Sequence, residues 1–357
     1  MFSVGMMTLW NAANGPSIHA ELVGREWVKM GHQLRVFSPR KHPDARPTLQ
    51  KDEDYIIRHY SVNEVLPVTK ANYFDPLPLI REDYNVFVAQ NVERLPTKEL
   101  YEKFPDIRKK AATVMVVHEG GPPLDPLYYK FSWDIIICFD ERYKEFISKH
   151  FPEQKIRIIP YPCHPLELAN KKDARKKLGL SMDEKIILSY GFRTRELYDV
   201  LPTLKEVAYE IPIKYLIIAN PDGHVQELEE FLNQYSFVEL RKSALPIHEL
   251  YDFLHASDAL LIHRKPNTRY RAVISSSVCL AMGSGCPILY HDVNYVEKHH
   301  DEIIKYRNMQ ELKKSLLEIF EGKSNLDKVK AFLERRNANV VASKFIDVFQ
   351  EALETRK

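Results

Sequence analysis

Lys185-Ile-Ile-Leu-Ser-Tyr190 is the stretch on which the reading of this chain turns. It is a short, nearly unbroken apolar run, and similar runs follow at Ile213–Ala219, Phe237–Leu240, Ala259–Ile262 and Pro287–Tyr290. Helical periodicity fits among them at Val225–Gln234, Ile247–Ala256 and Ser277–Met282. Runs of Val, Ile and Leu without polar alternation suit parallel strands covered on both faces by helices. A last strand is expected at Ile303–Tyr306, then three helices between Met309 and Arg356.

The same rhythm has already run once upstream. Phe2–Met7 reads as a strand, Pro16–Met30 as a helix and Gln33–Ser38 as a second strand entered through the Gly31-His32 turn. Strands are expected at Tyr55–His59, Val86–Ala89, Thr113–Val117, Asp134–Cys138 and Ile156–Ile159, with helices at Thr97–Lys103 and Glu141–His150. Pro160-Tyr-Pro162 stops this series, because proline has no amide to give a central ladder. A charged helical connector, Lys172–Lys177, precedes the restart. Two alternating series predict an α/β protein with two doubly wound, Rossmann-like parallel-sheet domains facing a cleft. The boundaries read as 1–160 and 161–338, with a final helix, 339–357, packing back on the first domain. A length of 357 residues agrees, since one core rarely serves more than about 250–300.

Composition removes several classes of function. Hydrophobic residues at 45% and charged residues at 28% are globular values. Lys and Arg number 51 against 49 Asp and Glu, so no basic excess exists to neutralise a nucleic-acid backbone. The longest apolar runs fall far short of the roughly 20 residues of a membrane-spanning helix. Cys138, Cys163, Cys279 and Cys286 lack CxxC spacing and read as reduced thiols of a cytoplasmic protein. No GxGxxG, GxSxG, P-loop or zinc-protease pattern occurs, and His291, His299 and His300 lack the company of a metal site. No cofactor is expected. The basic stretch Arg94–Lys110 reads as a solvated helical face, with peripheral contact at an anionic membrane surface as the other reading.

In doubly wound sheets ligands bind beyond the carboxyl ends of the strands, so the loops there are the candidates. In the first, Asn14 and Gly15 precede Pro16 at a helix start, where amides can meet an anion or a hydroxyl. His118-Glu119-Gly-Gly follows a strand, a titratable pair on a glycine turn suited to general acid–base work. Gly191-Phe-Arg193-Thr-Arg195 opens the second series: the glycine admits a close backbone approach and the guanidiniums suit phosphate oxygens. Basic residues at a helix start are unfavourable unless an anion is bound there. Arg264, Lys265, Arg269 and Arg271 crowd one loop, and Ser275, Ser276 and Ser277 supply hydroxyls and an N-cap behind it.

Several stretches, in order, resemble GT-B glycosyltransferases of the retaining family that includes sucrose, glycogen and lipopolysaccharide transferases. They are 14–23 with 28–37, His118, 132–138 through 155–160, Ile187–Gly191, 255–261, and Ala281-Met-Gly-Ser-Gly-Cys-Pro-Ile-Leu289. The chain departs from that pattern at both family glutamates, whose places hold Ala272 and Leu280, and at the donor-loop Lys-Gly pair, replaced by Leu197-Tyr198. The resemblance implies metal-independent transfer of a sugar from a nucleotide-sugar donor to a hydroxyl on a glycan, lipid-linked or small-molecule acceptor. It sets His118 at the end of a first-domain strand, facing the transferred sugar, and His118 with Glu119 is the candidate to position or deprotonate the acceptor hydroxyl. The donor phosphates then fall to Gly191, Arg193, Arg195, Arg271 and Ser275–Ser277 in the second, with Asn14 and Gly15 lining the first loop. Two other readings keep the scaffold: a catalytically silent nucleotide-sugar-binding subunit, favoured by the missing glutamates, and an epimerase or phosphorylase.

Overall fold

A computed structural model describes residues 1–43, 51–64, 67–191, 193–221, 225–232, 234–266, 268, 270–297 and 301–356. The chain divides into two compact units. The first comprises Met1–Cys163, Thr268–Ser277 and Arg335–Lys357; the second comprises His164–Asn267 and Val278–Glu334.

The first unit holds an eight-stranded sheet. Its strands are β1 (Ser3–Met7), β2 (Gln33–Lys41), β3 (Ile56–Ser61), β4 (Tyr73–Phe74), β5 (Val86–Gln90), β6 (Ala112–Val116), β7 (Ile135–Cys138) and β8 (Ile156–Ile158). Their order is β4-β3-β2-β1-β5-β6-β7-β8, with all pairs parallel except β3 with β4. Every residue of β5, β6 and β7 is buried, which is why these strands read as unbroken apolar runs. Helices α1 (Gly15–Lys29), α2 (Leu77–Arg81), α3 (Thr97–Lys110) and α4 (Glu141–Ile147) connect them. The C-terminal helix of the chain, Ala338–Glu354, returns to this unit. Trp27 of α1 packs edge-on against its Phe349, beside Phe345, and donates from Nε1 to Ala342 O at 3.2 Å.

The second unit contains a six-stranded parallel sheet ordered β11-β10-β9-β12-β13-β14. The strands are β9 (Lys185–Gly191), β10 (Ile213–Ala219), β11 (Val238–Lys242), β12 (Ala259–Ile262), β13 (Ile288–His291) and β14 (Ile304–Tyr306). Its helices are α5 (Lys171–Leu178), α6 (Leu201–Glu210), α7 (Val225–Leu232), α8 (Ile247–Ala256), α9 (Ser276–Met282, begun in the first unit), α10 (Met309–Phe320) and α11 (Leu326–Arg336, which crosses into the first unit at Arg335); the C-terminal helix is α12. Ile187, Ile217, Leu204, Leu261 and Leu316 belong to one buried cluster.

In each sheet the strand order reverses once. The reversal falls between β1 and β5 in the first unit and between β9 and β12 in the second. A connection leaving one strand upward on one side and its neighbour on the other opens a crevice at the carboxyl ends, the usual ligand position. Asn14 and Gln90 stand at the first such place, Gly191 and Arg264 at the second.

Several elements depart from the sequence reading, β4 and α2 among them, neither of which it contained. The third helix runs through Pro105 to Lys110 instead of stopping at Lys103, its end bond running from Ala111 N to Ile107 O. Helix α6, which the sequence reading left out, buries Leu201, Thr203, Leu204 and Val207. All four cysteines are free and buried.

Candidate functional site

In the first unit the loop after β1 is held from within. Asn14 caps α1, its Oδ1 accepting from Ser17 N at 3.1 Å, and Glu21 Oε1 accepts from both Asn11 N (3.0 Å) and Ser17 Oγ (2.7 Å). Gly15 O accepts from Tyr161 Oη at 2.6 Å. Asn14 thus spends its side chain on the helix start, and Gly15 offers backbone only. A β-carbon on Gly15 would lie 3.7 Å from Ser276 Oγ, so the serine segment comes up against this loop.

His118 follows β6 and is partly buried, with its Nε2 3.1 Å from Gln90 Oε1. The same oxygen lies 2.8 Å from Nδ1 of the fully buried His19. Burial lowers the proton affinity of His118 well below the histidine range, and His19 and Arg94 lower it further. His118 is therefore a neutral base at ordinary pH. Glu119 behaves differently. Its carboxylate accepts from His118 N (3.0 Å), Glu93 N (3.2 Å) and Tyr128 Oη (3.2 Å). With the Asn91 amide oriented to satisfy its neighbours, Asn91 Nδ2 adds a fourth donor at 3.0 Å. Burial raises the Glu119 pKa to about 7, and the Glu93 charge pushes the same way. A carboxyl so engaged anchors the loop that carries His118.

Gly120 completes that loop. Its carbonyl accepts from Arg271 N at 2.6 Å and Ala272 N at 3.0 Å, and a β-carbon there would fall 2.7 Å from the Tyr270 ring. Thr268–Ser277 consequently packs in the first unit, where the sequence reading expected it in the second. Arg271 is exposed, Ser275 buried, and Ser276 and Ser277 half-buried. Arg269, His299 and His300 lie outside the described residues.

The histidines of this unit make its stability depend on pH. Burial lowers His19 to about 3 and His42 and His59 to about 4, and His118 moves the same way. The unfolded chain takes up these protons first as pH falls below about 6.5, which favours unfolding. Glu119 and Glu21, both raised by burial, act with the opposite sign in that window. Four groups outweigh two. All three tryptophans (Trp10, Trp27, Trp133) lie in this unit, so their fluorescence reports it alone. The urea midpoint so measured should fall between about pH 7 and about pH 5; a midpoint that rises would show the carboxyls dominating.

In the second unit Gly191 ends β9 with φ of 116°, a value glycine adopts without strain. Arg193 is exposed; its Nη1 donates to Tyr295 Oη at 2.7 Å, and the guanidinium lies over that ring 5.0 Å from its centroid. Arg195 is exposed as well. The buried guanidinium here belongs to Arg264, just past β12, with its side chain 13% exposed. Glu196 stands 3.5 Å from Arg264 and 3.6 Å from Arg193, one carboxylate shared by two cations. Burial lowers the proton affinity of Arg264, which Glu196 opposes and Arg193 reinforces. Gly191, Arg193, Leu197, Ile217, Leu261 and Arg264 line a small cavity at the ends of β9, β10 and β12.

Arg264 is itself held by a stack. His263 and His291 lie parallel, 4.5 Å apart, and both rings stack on Tyr306. Nδ1 of His291 donates to Arg264 O at 2.6 Å, and His263 Nδ1 meets Tyr306 Oη at 2.7 Å. The sequence signals Arg264 only as one member of a basic loop; burial and the shared Glu196 single it out. Among the described residues no group of three His, Cys, Asp or Glu is arranged to hold a metal, and no helix is long and apolar enough to cross a membrane.

Two doubly wound units, each with its sheet reversal at these loops, give the chain the GT-B fold, which it shares with solved glycosyltransferases. No family model matches the chain. Among solved structures, a glycosyltransferase from Rickettsia africae aligns over 99% of both chains with TM-score 0.70 and 13% identity. Sucrose-phosphate synthase from Thermosynechococcus elongatus aligns over 99% of this chain and 100% of its own, with TM-score 0.67 and 14% identity. HepE of Anabaena, solved with UDP and glucose, covers 98% and 100% with TM-score 0.65 and 12% identity.

Proposed function

We propose that this protein transfers a sugar from a nucleoside diphosphate to a hydroxyl acceptor, with arginine in place of a metal ion at the phosphates. The observation that carries the reading is the pair Arg193 and Arg264 sharing Glu196 at the sheet reversal of the second unit. Two cations around one acid leave a net positive field where a diphosphate can enter. As the bond from the anomeric carbon to phosphate oxygen breaks, its electron pair goes to the diphosphate, and a charge fixed there beforehand lowers the barrier. Gly191 permits close approach of backbone, and Arg195 adds positive charge at the mouth. HepE, solved with UDP-glucose, is similar to this chain and binds a donor of that class.

On the acceptor side the proposal assigns His118 the hydroxyl proton. The hydroxyl oxygen bonds to the anomeric carbon while its proton passes to an unprotonated ring nitrogen. Glu119 keeps the His118 loop in place. Arg271 and Ser275–Ser277, packed with the first unit, are assigned to substrate hydroxyl or phosphate contacts from that unit.

The second reading is a binding subunit without turnover, favoured by buried Ala272 and Leu280 where the resembling family has glutamates. Thermal shift with UDP, GDP and ADP, followed by donor hydrolysis without acceptor, separates the two. The transferase reading expects one diphosphate to stabilise the protein and its sugar ester to be slowly cleaved. Stabilisation without cleavage in any acceptor mixture selects the binding subunit, and phosphate-dependent cleavage a phosphorylase. No shift with any of them removes both main readings.

A further inference from the structure

We propose that Gln90 is a positioning residue that fixes the His118 proton on Nε2 and so presents Nδ1 as the nitrogen facing the acceptor. The inference rests on the assignment of His118 as the acceptor-side base.

Gln90 is the last residue of β5 and is 1% exposed. Its Nε2 lies 3.0 Å from Met6 Sδ, and a thioether sulfur can only accept. The amide nitrogen therefore faces Met6, which leaves Oε1 to the two histidines, 2.8 Å from His19 Nδ1 and 3.1 Å from His118 Nε2. A carbonyl oxygen has two lone pairs and no proton, so both ring nitrogens must be donors. A neutral imidazole carries one N–H. His118 then has a bare Nδ1, and His19 a bare Nε2.

The surroundings of His19 agree. Its Nε2 is buried with no hydrogen-bond partner, a position that suits a lone pair, since a buried N–H is rarely left without an acceptor. The rings of Phe139, Tyr161 and Phe345 pack around it. A second proton on either imidazole would place a cation against the other ring 5.0 Å away. The charged and titratable groups around His118 are His19 on α1, Arg94 on the turn after β5, Tyr161 after β8, and the adjoining Glu119. Two of these, His19 and Arg94, oppose a second proton, and burial opposes it more strongly. Gln90 thus decides which nitrogen is basic, while burial, with the Arg94 charge and the adjoining His19, keeps it unprotonated.

NMR of the intact protein with nitrogen-labelled histidine tests the tautomer without any substrate. His118 should show a protonated Nε2 and an unprotonated Nδ1 from about pH 5 to about pH 8; the opposite tautomer, or an imidazolium near neutrality, overturns the proposal. Two variants test its consequence. Gln90→Met removes the shared acceptor, and kcat for transfer should fall about 10–100-fold, as when a histidine's orienting partner is lost, with KM for the donor unchanged. Gln90→Glu keeps an acceptor for both N–H groups but adds negative charge. It should retain kcat at alkaline pH and move the acid limb of the pH–rate profile upward. Wild-type rates and profile in both variants would reduce Gln90 to a packing residue. A wild-type rate in His118→Ala instead defeats the assignment of His118, and the tautomer measurement stands apart from that result.

Discussion

If His118 is the proposed base, replacing it with alanine should lower sugar transfer on the order of 10²–10⁴-fold, the usual contribution of a positioned base, while affinity for the nucleoside diphosphate should stay at the wild-type value. The separation follows from where the groups sit. The arginines proposed to meet the phosphates at the second sheet reversal, Arg193 and Arg264, belong to the second unit, and His118 lies just past β6 in the first. The fold should survive. The backbone of the His118 loop is held by Glu119 and by the Gly120 carbonyl, neither of which needs the imidazole. Gln90 Oε1 keeps His19 as a donor after the change. Tryptophan fluorescence melts check the fold, calorimetry checks the diphosphate, and product release with acceptor checks the rate. A variant with wild-type melt, wild-type affinity and wild-type rate would remove His118 from the chemistry.

How much of this was legible beforehand varies by residue. Strands such as Ile213–Ala219 and Ala259–Ile262 announce themselves because both faces of the sheet are covered, so every position but Lys214 is apolar. The two-domain α/β reading follows from those runs. The residues at their ends are also easy to pick out, and His118, Gly191 and Arg193 become candidates in this way. What the sequence hides is which polar groups are buried and what they share. Gln90 closes an apolar strand and looks like any strand end; only the convergence of Met6, His19 and His118 on one amide gives it a role. Arg264 stands among other basic residues, and nothing local says that its guanidinium turns inward while Lys265 and Arg271 are exposed. Thr268–Ser277 lies between two second-domain strands in sequence, and its membership of the first unit depends on the Gly120 carbonyl, some 150 residues away. The helix expected to stop at Lys103 continues through Pro105 to Lys110, because Phe104 and Ile107 on either side of the proline are buried.

Glu196 supplies the second large effect, and its sign distinguishes a phosphate site from an ordinary ion pair. Glu196 stands 3.5 Å from the Arg264 guanidinium and 3.6 Å from that of Arg193. Replacing it with glutamine leaves the buried Arg264 without its carboxylate, and breaking such a pair costs about 3–5 kcal/mol when no other anion arrives. The unliganded variant should therefore melt earlier than wild type. A diphosphate arriving at the two guanidiniums restores the missing negative charge and no longer meets a carboxylate that repels it. Glu196→Gln should then bind the diphosphate at least as tightly as wild type, and the ligand-induced rise in melting temperature should be larger in the variant. Replacing Arg264 with alanine works in the other direction: affinity falls by roughly 10-fold or more, the value of about 1.5–3 kcal/mol for a hydrogen bond to a charged group. If Glu196→Gln melts earlier but gains nothing extra from any diphosphate, the two arginines are a structural pair, and the donor must be held elsewhere.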